Sequence, residues 1–170
     1  GKYKGSSEII FFPKSVSSII KIIKFCHKRD IPIVPQGGNT SLVGGSVPRL
    51  NKGEIIINLC KLNKIREIDT VSNTVTAESG CILQSINDQL ESYNLQMPIS
   101  LGSKGSCQIG GNIATNAGGL NVIKFGSIRS NILGIEAILP NGELYNDLKT
   151  VKKNNTGLDF IYSQNGIYSL

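Results

Sequence analysis

Residues 102–119 read GSKGSCQIGGNIATNAGG and contain six glycines, three serine or threonine hydroxyls and two asparagines. Glycine tolerates positive φ angles, and it lets a bound molecule come close to the backbone because it has no Cβ. Successive amide N–H groups can then face a concave surface that suits phosphate oxygens. Glycine and asparagine also build ordinary turns. This stretch, the second glycine segment, is therefore either a connector or a binding loop.

A similar stretch occurs earlier in the chain. Residues 36–45 read QGGNTSLVGG and follow a short apolar run, and we name them the first glycine segment. Two such segments within 170 residues favour a site for a phosphate-bearing ligand over simple turns. The sequence has no GxxxxGK[ST] motif, and no G-x-G-x-x-G joins a strand to a helix. The ligand is therefore expected on a fold other than the P-loop or Rossmann folds.

The composition is that of a globular protein with a sizeable core. Hydrophobic residues make up 39% of the chain, charged residues make up 18%, and the formal net charge is +6. The basic residues are dispersed and form no run of five, which argues against nucleic-acid binding and agrees with an anionic ligand. No apolar run has membrane-spanning length and no signal peptide is evident. We expect a cytoplasmic protein, or a mitochondrial-matrix protein in a eukaryote.

The cysteines and the histidine do not suggest a metal site. The four cysteines contain no CxxC pair, and His27 is the sole histidine in the chain. This pattern predicts neither a zinc site nor a disulfide framework. We therefore expect reduced thiols and assign no metal ligand.

The first part of the chain predicts a strand–helix–strand unit. Residues 8–12 form a short apolar strand, and Ser15 is placed to cap a helix whose apolar residues recur at helical spacing to about His27. Residues 31–34 form a second strand, which Pro35 is expected to end. Such a unit usually pairs its strands in parallel.

The later part predicts antiparallel pairing. Ser72–Asn73 and the run Pro140-Asn141-Gly142 predict turns between strands. The expected strands are residues 54–58, 64–69, 74–78, 132–139 and 143–145, and the expected helix is residues 81–93, with Ile82, Leu83, Ile86 and Leu90 on its apolar face. The pattern indicates a mixture of α and β structure, followed by a polar tail from residue 152.

Four stretches of the chain resemble one protein family. They are IPIVPQGGNTSLVGGSVP at residues 31–48, TVTAESGCIL at residues 74–83, the run from MPISLGSKGSC to LPNGEL at residues 97–144, and KKNNTGLDF at residues 152–160. They resemble the FAD-binding domain of the vanillyl-alcohol-oxidase/p-cresol-methylhydroxylase (PCMH) superfamily. Within it, the chain is most similar to the branch of D-2-hydroxyglutarate dehydrogenase, D-lactate dehydrogenase and the FAD-linked subunit of glycolate oxidase.

The resemblance implies an α+β fold, a PCMH-type FAD-binding domain of two α+β subdomains with FAD between them. The subdomains would span residues of about 1–70 and 71–170, and the C-terminal substrate domain of the family would be absent from the chain. The first glycine segment would wrap the pyrophosphate. The second would line the flavin and the ribityl chain, and Ile135 would lie near the adenine.

The resemblance also implies a set of cofactor-binding residues and the mode of attachment. The implied residues are Pro35, Gln36, Gly37, Gly38, Asn39, Thr40, Ser41, Gly44, Gly45, Leu101, Gly102, Gly105, Ser106, Ile109, Gly110, Gly111, Thr115, Ala117, Gly118, Gly119, Gly126, Ser127 and Ile135. Some members of the superfamily attach FAD covalently to a histidine in the first loop. This chain has Asn39 at that position, so we expect noncovalent FAD.

The implied reaction moves a hydride from the α-carbon of a D-2-hydroxy acid to FAD while a base removes the hydroxyl proton. In this family the histidines that serve substrate and metal lie in the separate C-terminal domain. We therefore assign no catalytic residue to this chain, and its activity alone is doubtful. A small hydroxy acid would reach the site through the missing domain, and a quinone or an electron-transfer flavoprotein would accept the electrons.

Two alternatives stay open. The family follows its NTGYDL motif with a glycine-rich run, whereas NNTGLDF is followed here by IYSQNGIYSL. Because of this departure from the family pattern, the first alternative is that the chain is a vestigial or non-catalytic flavin-binding domain. A second alternative is the related branch of UDP-N-acetylenolpyruvoylglucosamine reductase, which the second glycine segment fits less well.

Overall fold

The computed structural model describes residues 3–148, so the predicted tail from residue 152 lies outside the described part. The chain order is β1 (Ile10–Phe11), α1 (Val16–His27), β2 (Ile33–Gln36), β3 (Ile55–Asn58), β4 (Ile65–Asp69), β5 (Thr74–Ala77), α2 (Leu83–Glu91), α3 (Ile109–Ala114), α4 (Val122–Phe125), a 3-10 helix (Ile128–Asn131), β6 (Ile135–Ile138) and β7 (Leu144–Asp147). This confirms the α+β class. Across residues 3–148, no helix combines the length and the apolar character needed to cross a membrane.

The first three strands form a parallel sheet in the order β1-β3-β2. The helix between β1 and β2 starts as predicted, since the backbone N–H of Ser18 donates to the Ser15 side chain at 3.2 Å. Its apolar face packs Ile19 and Ile23 into a core cluster with Ile57. The predicted strand–helix–strand unit with parallel pairing is therefore confirmed.

The prediction that β2 stops at Pro35 is wrong, because the strand continues to Gln36. Its register pairs Pro35 with Ile57 and Gln36 with Asn58. The backbone carbonyl of Gln36 accepts the N–H of Leu59 at 3.0 Å, so Gln36 faces β3. Alternate residues face alternate sides, so Pro35 directs its nitrogen to the open edge, where its missing N–H breaks no ladder bond.

The second half contains two antiparallel hairpins, β4–β5 and β6–β7, as predicted. Asn73 has φ of 52° and Gly142 has φ of 80° at the two turns, a conformation that both residue types tolerate. Helix α2 starts later than predicted because Ile82 is extended and forms an isolated antiparallel bridge with Gln108, and the N–H of Leu83 donates to the Cys107 carbonyl at 3.1 Å. The residues just before α2 are therefore paired with the second glycine segment and are not part of the helix.

Two core clusters support these elements. One gathers the inner faces of α2 and α3, and the other lies between α1 and the parallel sheet. An ion pair connects the hairpins, since Arg66 Nη2 lies 3.1 Å from Glu136 Oε1. The division into subdomains near residue 70 stays a prediction, and the hairpin β4–β5 spans that position.

Glu54 fastens the chain that follows the first glycine segment to the start of β3. Its carboxylate is buried and accepts the backbone N–H of Arg49 at 2.5 Å and the Arg49 side-chain Nε at 2.6 Å. These contacts hold the pKa of Glu54 below its usual range. Because the folded pKa is depressed, the resulting stability is present at neutral pH and is lost as the pH falls through the folded pKa.

We predict that Glu54→Gln removes this pH-dependent stability. Between a pH of about 4.3, the ordinary glutamate pKa, and lower values, the free energy of unfolding should fall less steeply for the variant than for wild type. Urea unfolding at a series of pH values measures this. Glu91→Gln, at an exposed position at the end of α2, is the control and should keep the wild-type slope. Equal slopes for Glu54→Gln and wild type would contradict the prediction.

Candidate functional site

The first glycine segment leaves the parallel sheet at the carboxyl end of β2, where ligands usually bind in α/β sheets. Two of its residues adopt positive φ, namely Asn39 at 56° and Gly44 at 73°. A Cβ at Gly44 would stand 2.6 Å from Cγ of the Tyr3 ring, so the position requires glycine on both counts. The segment is therefore a shaped loop that runs out from the sheet edge.

The backbone amides of this loop are largely unused by the protein. Within it, the N–H of Val43 donates to Ser41 Oγ at 3.3 Å, and the N–H of Val47 donates to the Gly44 carbonyl at 3.0 Å. The N–H groups of residues 37–42 have no acceptor within residues 3–148. Residues 39–42 are also exposed. The loop thus offers six consecutive amide donors to a ligand.

The two glycine segments touch each other through their backbones. Gly38 lies so close to the Ser106 carbonyl that a Cβ there would overlap it, and the same Cβ would stand 3.1 Å from Cα of Cys107. A Cβ at Gly37 would lie 3.3 Å from Gln108 Oε1. The approach at Gly38 is closer than a side chain allows, which explains the glycine there, whereas the Gly37 contact is tight but with the end of a flexible side chain.

The start of the second glycine segment is bonded to the chain before α2. Ile109 donates its N–H to the Cys81 carbonyl at 2.9 Å, and Gly110 donates to the Ser79 carbonyl at 2.8 Å. Burial raises the pKa of the Cys81 thiol, which therefore stays neutral in this wall. These bonds fix the segment against the hairpin that ends at β5.

The end of the second glycine segment is held by separate contacts. The Ser100 carbonyl accepts the N–H of Leu120 at 3.1 Å and closes the segment at its base. Asn116 accepts the N–H of Arg129 through its side-chain Oδ1 at 3.1 Å. Asn131 donates to the carbonyls of Phe125 at 2.9 Å and Ser127 at 3.1 Å. Two asparagine side chains therefore hold residues 125–129, which follow the second glycine segment, in place.

Four glycines of the two segments face open space. No heavy atom lies within 4 Å of the Cβ that could be built at Gly45, Gly102, Gly105 or Gly111. Their lack of a side chain is therefore not required by packing inside residues 3–148. Such positions fit a cradle into which a ligand's atoms come close to the backbone.

Gln108 lies where the two segments meet, and the sequence analysis did not assign it a role. Its side chain is 7% exposed, and Oε1 is the one buried side-chain nitrogen or oxygen in the described part that lacks a hydrogen-bond partner. Leaving such an atom unpaired costs about 1–3 kcal/mol. A cavity of about 140 Å³, also lined by Cys60 and Ser85, adjoins it. The orphaned acceptor fits a site that takes up a further polar group.

Several predicted site residues have other contacts. Ile109 is buried in the core, and the Thr115 hydroxyl donates to the Gly111 carbonyl at 2.9 Å. Ile135 lies in β6 and lines a separate cavity of about 490 Å³ between the two hairpins and α2. The structure brings Gly37 and Gly38 together with residues 106–108. The assigned contacts to a cofactor stay predictions.

Asn58 is a second polar residue near the site that no sequence motif contains. It ends the otherwise apolar strand β3 and is 9% exposed. Its Nδ2 donates to Gln36 Oε1 at 3.0 Å, directly beneath the first glycine segment. The sequence gives one indication of this role: a single asparagine ends a strand that is otherwise all isoleucine, and a buried polar side chain needs a partner.

Comparison with known protein families identifies the family to which this chain belongs. The family model described as "FAD binding domain" matches residues 7–147. The chain therefore belongs to the FAD-binding domain family, which confirms FAD as the cofactor. Open glycines, unused amides and an orphaned buried acceptor agree with a large phosphate-bearing cofactor.

Individual relatives narrow the branch within that family. The chain is 47% identical over 158 residues to mitochondrial D-2-hydroxyglutarate dehydrogenase of Arabidopsis thaliana, covering 93% of this chain and 28% of that protein. It is 43% identical over 156 residues to the zebrafish (Danio rerio) mitochondrial enzyme of that name, covering 92% and 29%. These relatives confirm the predicted branch. The chain spans less than a third of the length of either one.

A solved structure supports the fold. Alkyldihydroxyacetonephosphate synthase superposes with a TM-score of 0.77 at 22% identity, covering 89% of this chain and 26% of that one. At this identity the likeness speaks for the fold alone. It agrees with the predicted PCMH-type architecture.

We predict that Gly38→Ala destabilises the chain whether or not a cofactor is bound. The added methyl group would overlap the Ser106 carbonyl and force the glycine segments apart, at a cost of about 1–3 kcal/mol. Chemical unfolding without FAD measures this. Gly105→Ala is the matched control because its Cβ meets no atom within 4 Å, and it should change stability by less than about 0.5 kcal/mol. Equal effects of both variants would refute the assigned contact.

Proposed function

We propose that this chain binds FAD noncovalently and forms the cofactor-binding part of a flavin-dependent D-2-hydroxyacid dehydrogenase. The observation that carries the proposal is the run of unused amide N–H groups at residues 37–42, at the carboxyl edge of the parallel sheet. Such a run of donors suits the two phosphate groups of a dinucleotide. The net charge of +6 favours the approach of an anionic cofactor.

In this proposal the first glycine segment holds the pyrophosphate. Residues 37–42 supply the amides, Thr40 and Ser41 add exposed hydroxyls, and Gly44 and Gly45 complete the turn. Asn39 occupies the position at which some relatives in the superfamily carry a covalently attached histidine. Its carboxamide is no nucleophile toward the flavin, so the cofactor is held by hydrogen bonds and packing alone.

The second glycine segment lines the flavin and the ribityl chain in the same proposal. The open positions Gly102, Gly105 and Gly111 permit close approach of the cofactor, and Lys104 adds a positive charge. Gly126 and Ser127 continue this wall, and Ile135 lies toward the adenine. The two subdomains, about residues 1–70 and 71–170, would enclose the cofactor between them.

The bound FAD supplies the hydride acceptor for oxidation of a hydroxy acid. This chain's residues bind and orient it, and the base that takes the hydroxyl proton comes from outside the chain. The relatives' names include D-2-hydroxyglutarate and mitochondrial, so we propose a small D-2-hydroxy acid as substrate and the mitochondrial matrix as compartment. A quinone or an electron-transfer flavoprotein would reoxidise the flavin.

A non-catalytic flavin-binding role is the second candidate. His27, the sole histidine, is exposed at the end of α1. Because β2 begins a few residues later, His27 lies toward the amino end of that strand, opposite the edge that carries the first glycine segment. This placement gives His27 no part in the site. The chain would then bind flavin without oxidising a substrate.

We predict that the purified chain takes up FAD and binds it mainly through the phosphates. After incubation with FAD and removal of the free cofactor by gel filtration, flavin absorbance should stay with the protein. ADP and inorganic pyrophosphate should compete with FAD, and riboflavin should bind at least tenfold more weakly (about 1.4 kcal/mol). Acid denaturation followed by filtration should release all the flavin. Flavin retained on the denatured chain would overturn noncovalent binding.

The same preparation separates the two candidates. D-2-hydroxyglutarate or D-lactate should bleach the flavin only when the remainder of a dehydrogenase, such as that of the 47% identical Arabidopsis enzyme, is joined to this chain. Failure to take up FAD under any condition would refute both candidates. Flavin uptake without bleaching in the joined protein would favour the non-catalytic role.

A further inference from the structure

Two carboxamide side chains close the first glycine segment at its base. Gln36 donates from Nε2 to the Ser46 carbonyl at 3.0 Å, which joins the residue before the loop to the residue after it. Asn58 donates from Nδ2 to Gln36 Oε1 at 3.0 Å. We name these three bonded residues the amide clamp.

The clamp rests on the parallel sheet. Gln36 and Asn58 are register partners at the carboxyl ends of β2 and β3, so their side chains emerge on the same face. Asn58 is fixed in turn, because its Oδ1 accepts the N–H of Cys60 at 3.0 Å. Both atoms of the Gln36 carboxamide are engaged by protein groups. A residue predicted to touch the cofactor therefore uses its side chain to hold the loop.

The loop depends on this closure more than an ordinary turn would. Within the described part of the chain, its backbone hydrogen bonds are one from Val43 to Ser41 Oγ, in its second half, and one from Val47, just after it, to the Gly44 carbonyl. The first half of the loop, which carries the unused amides, is held by the contact of Gly38 with the Ser106 carbonyl and by the clamp. Without the clamp, residues 37–42 would keep their contacts with residues 106–108 but lose the bond that joins the two ends of the loop, so the loop could spread.

We propose that Gln36 and Asn58 are positioning residues that hold the first glycine segment in its binding shape. This inference rests on the proposed FAD function and deepens it. A loop ordered in advance binds more tightly because less conformational entropy is lost on binding. The pair acts on the cofactor through the backbone of residues 37–42 and not by direct contact.

The experiment uses neutral substitutions, so that no added charge acts on the phosphates. Gln36→Met keeps the length of the side chain and removes both of its clamp bonds, and Asn58→Leu keeps the approximate shape and removes the anchor. Gln84→Met is the matched control, since it also removes one glutamine hydrogen bond, from Nε2 to Asp88 on the surface of α2. Gln36 is half-buried, so Gln36→Met suffices should Asn58→Leu fail to fold.

The first measurement is loop opening without cofactor. Leu42 and Val43 are 89% and 71% exposed, so a protease that cleaves before large apolar residues can cut there when the loop opens. Mass spectrometry identifies the cut. The two clamp variants should be cut severalfold faster than wild type, and Gln84→Met should be cut at the wild-type rate.

The second measurement is the FAD dissociation constant. Each clamp variant should weaken binding about tenfold, in line with the loss of one or two neutral hydrogen bonds. The double variant should bind no more weakly than the weaker single variant, because the two residues act as one unit. Two independent direct contacts would instead give effects that multiply.

The outcomes separate the inference from the proposed function. Wild-type FAD binding that the clamp variants leave unchanged would overturn the positioning role and keep the proposed function, even if loop cutting became faster. Multiplying effects in the double variant would overturn it as well, in favour of direct contacts. No FAD uptake by wild type would overturn both.

Discussion

The contact between Gly38 and the Ser106 carbonyl is the constraint on which the site depends. It joins two chain segments that are about seventy residues apart in sequence and belong to different packing units, the parallel sheet and the wall before α3. A side chain at residue 38 would separate them. The contact keeps the unused amides of the first glycine segment beside the second glycine segment, which is the arrangement that the proposed FAD site requires.

The glycines of the site accordingly divide into two kinds. Gly38 and Gly119 stand where a Cβ would strike a backbone carbonyl, so the fold itself requires them. Gly45, Gly102 and Gly105 meet nothing within 4 Å, so packing inside the described part of the chain does not require glycine there. A substitution of the first kind should act on stability, and one of the second kind on binding, which makes the two roles separable.

Much of the fold follows from local pattern. The apolar spacing of α1 and its Ser15 cap, the parallel unit and the turns at Asn73 and Gly142 were all predictable, because each depends on neighbouring residues. The extension of β2 through Pro35 was not, since it depends on β2 being an edge strand. Helix α3 was missed for a related reason: its Ile109–Ala114 sequence holds two glycines, and bonds to Ser79 and Cys81 fix its start.

In the site, too, some features follow from neighbouring residues in the sequence and others depend on residues far away in the sequence. Glycine spacing and family resemblance predicted which backbone lines the site, but not which side chains hold that backbone in place. Asn58 and Gln108 act through residues 22 positions or more away along the chain, so no short motif contains the relationship. Their common property is a buried carboxamide, a group that is costly to leave unpaired. A buried amide at the carboxyl end of a parallel strand is thus itself an indication that a neighbouring loop is being held.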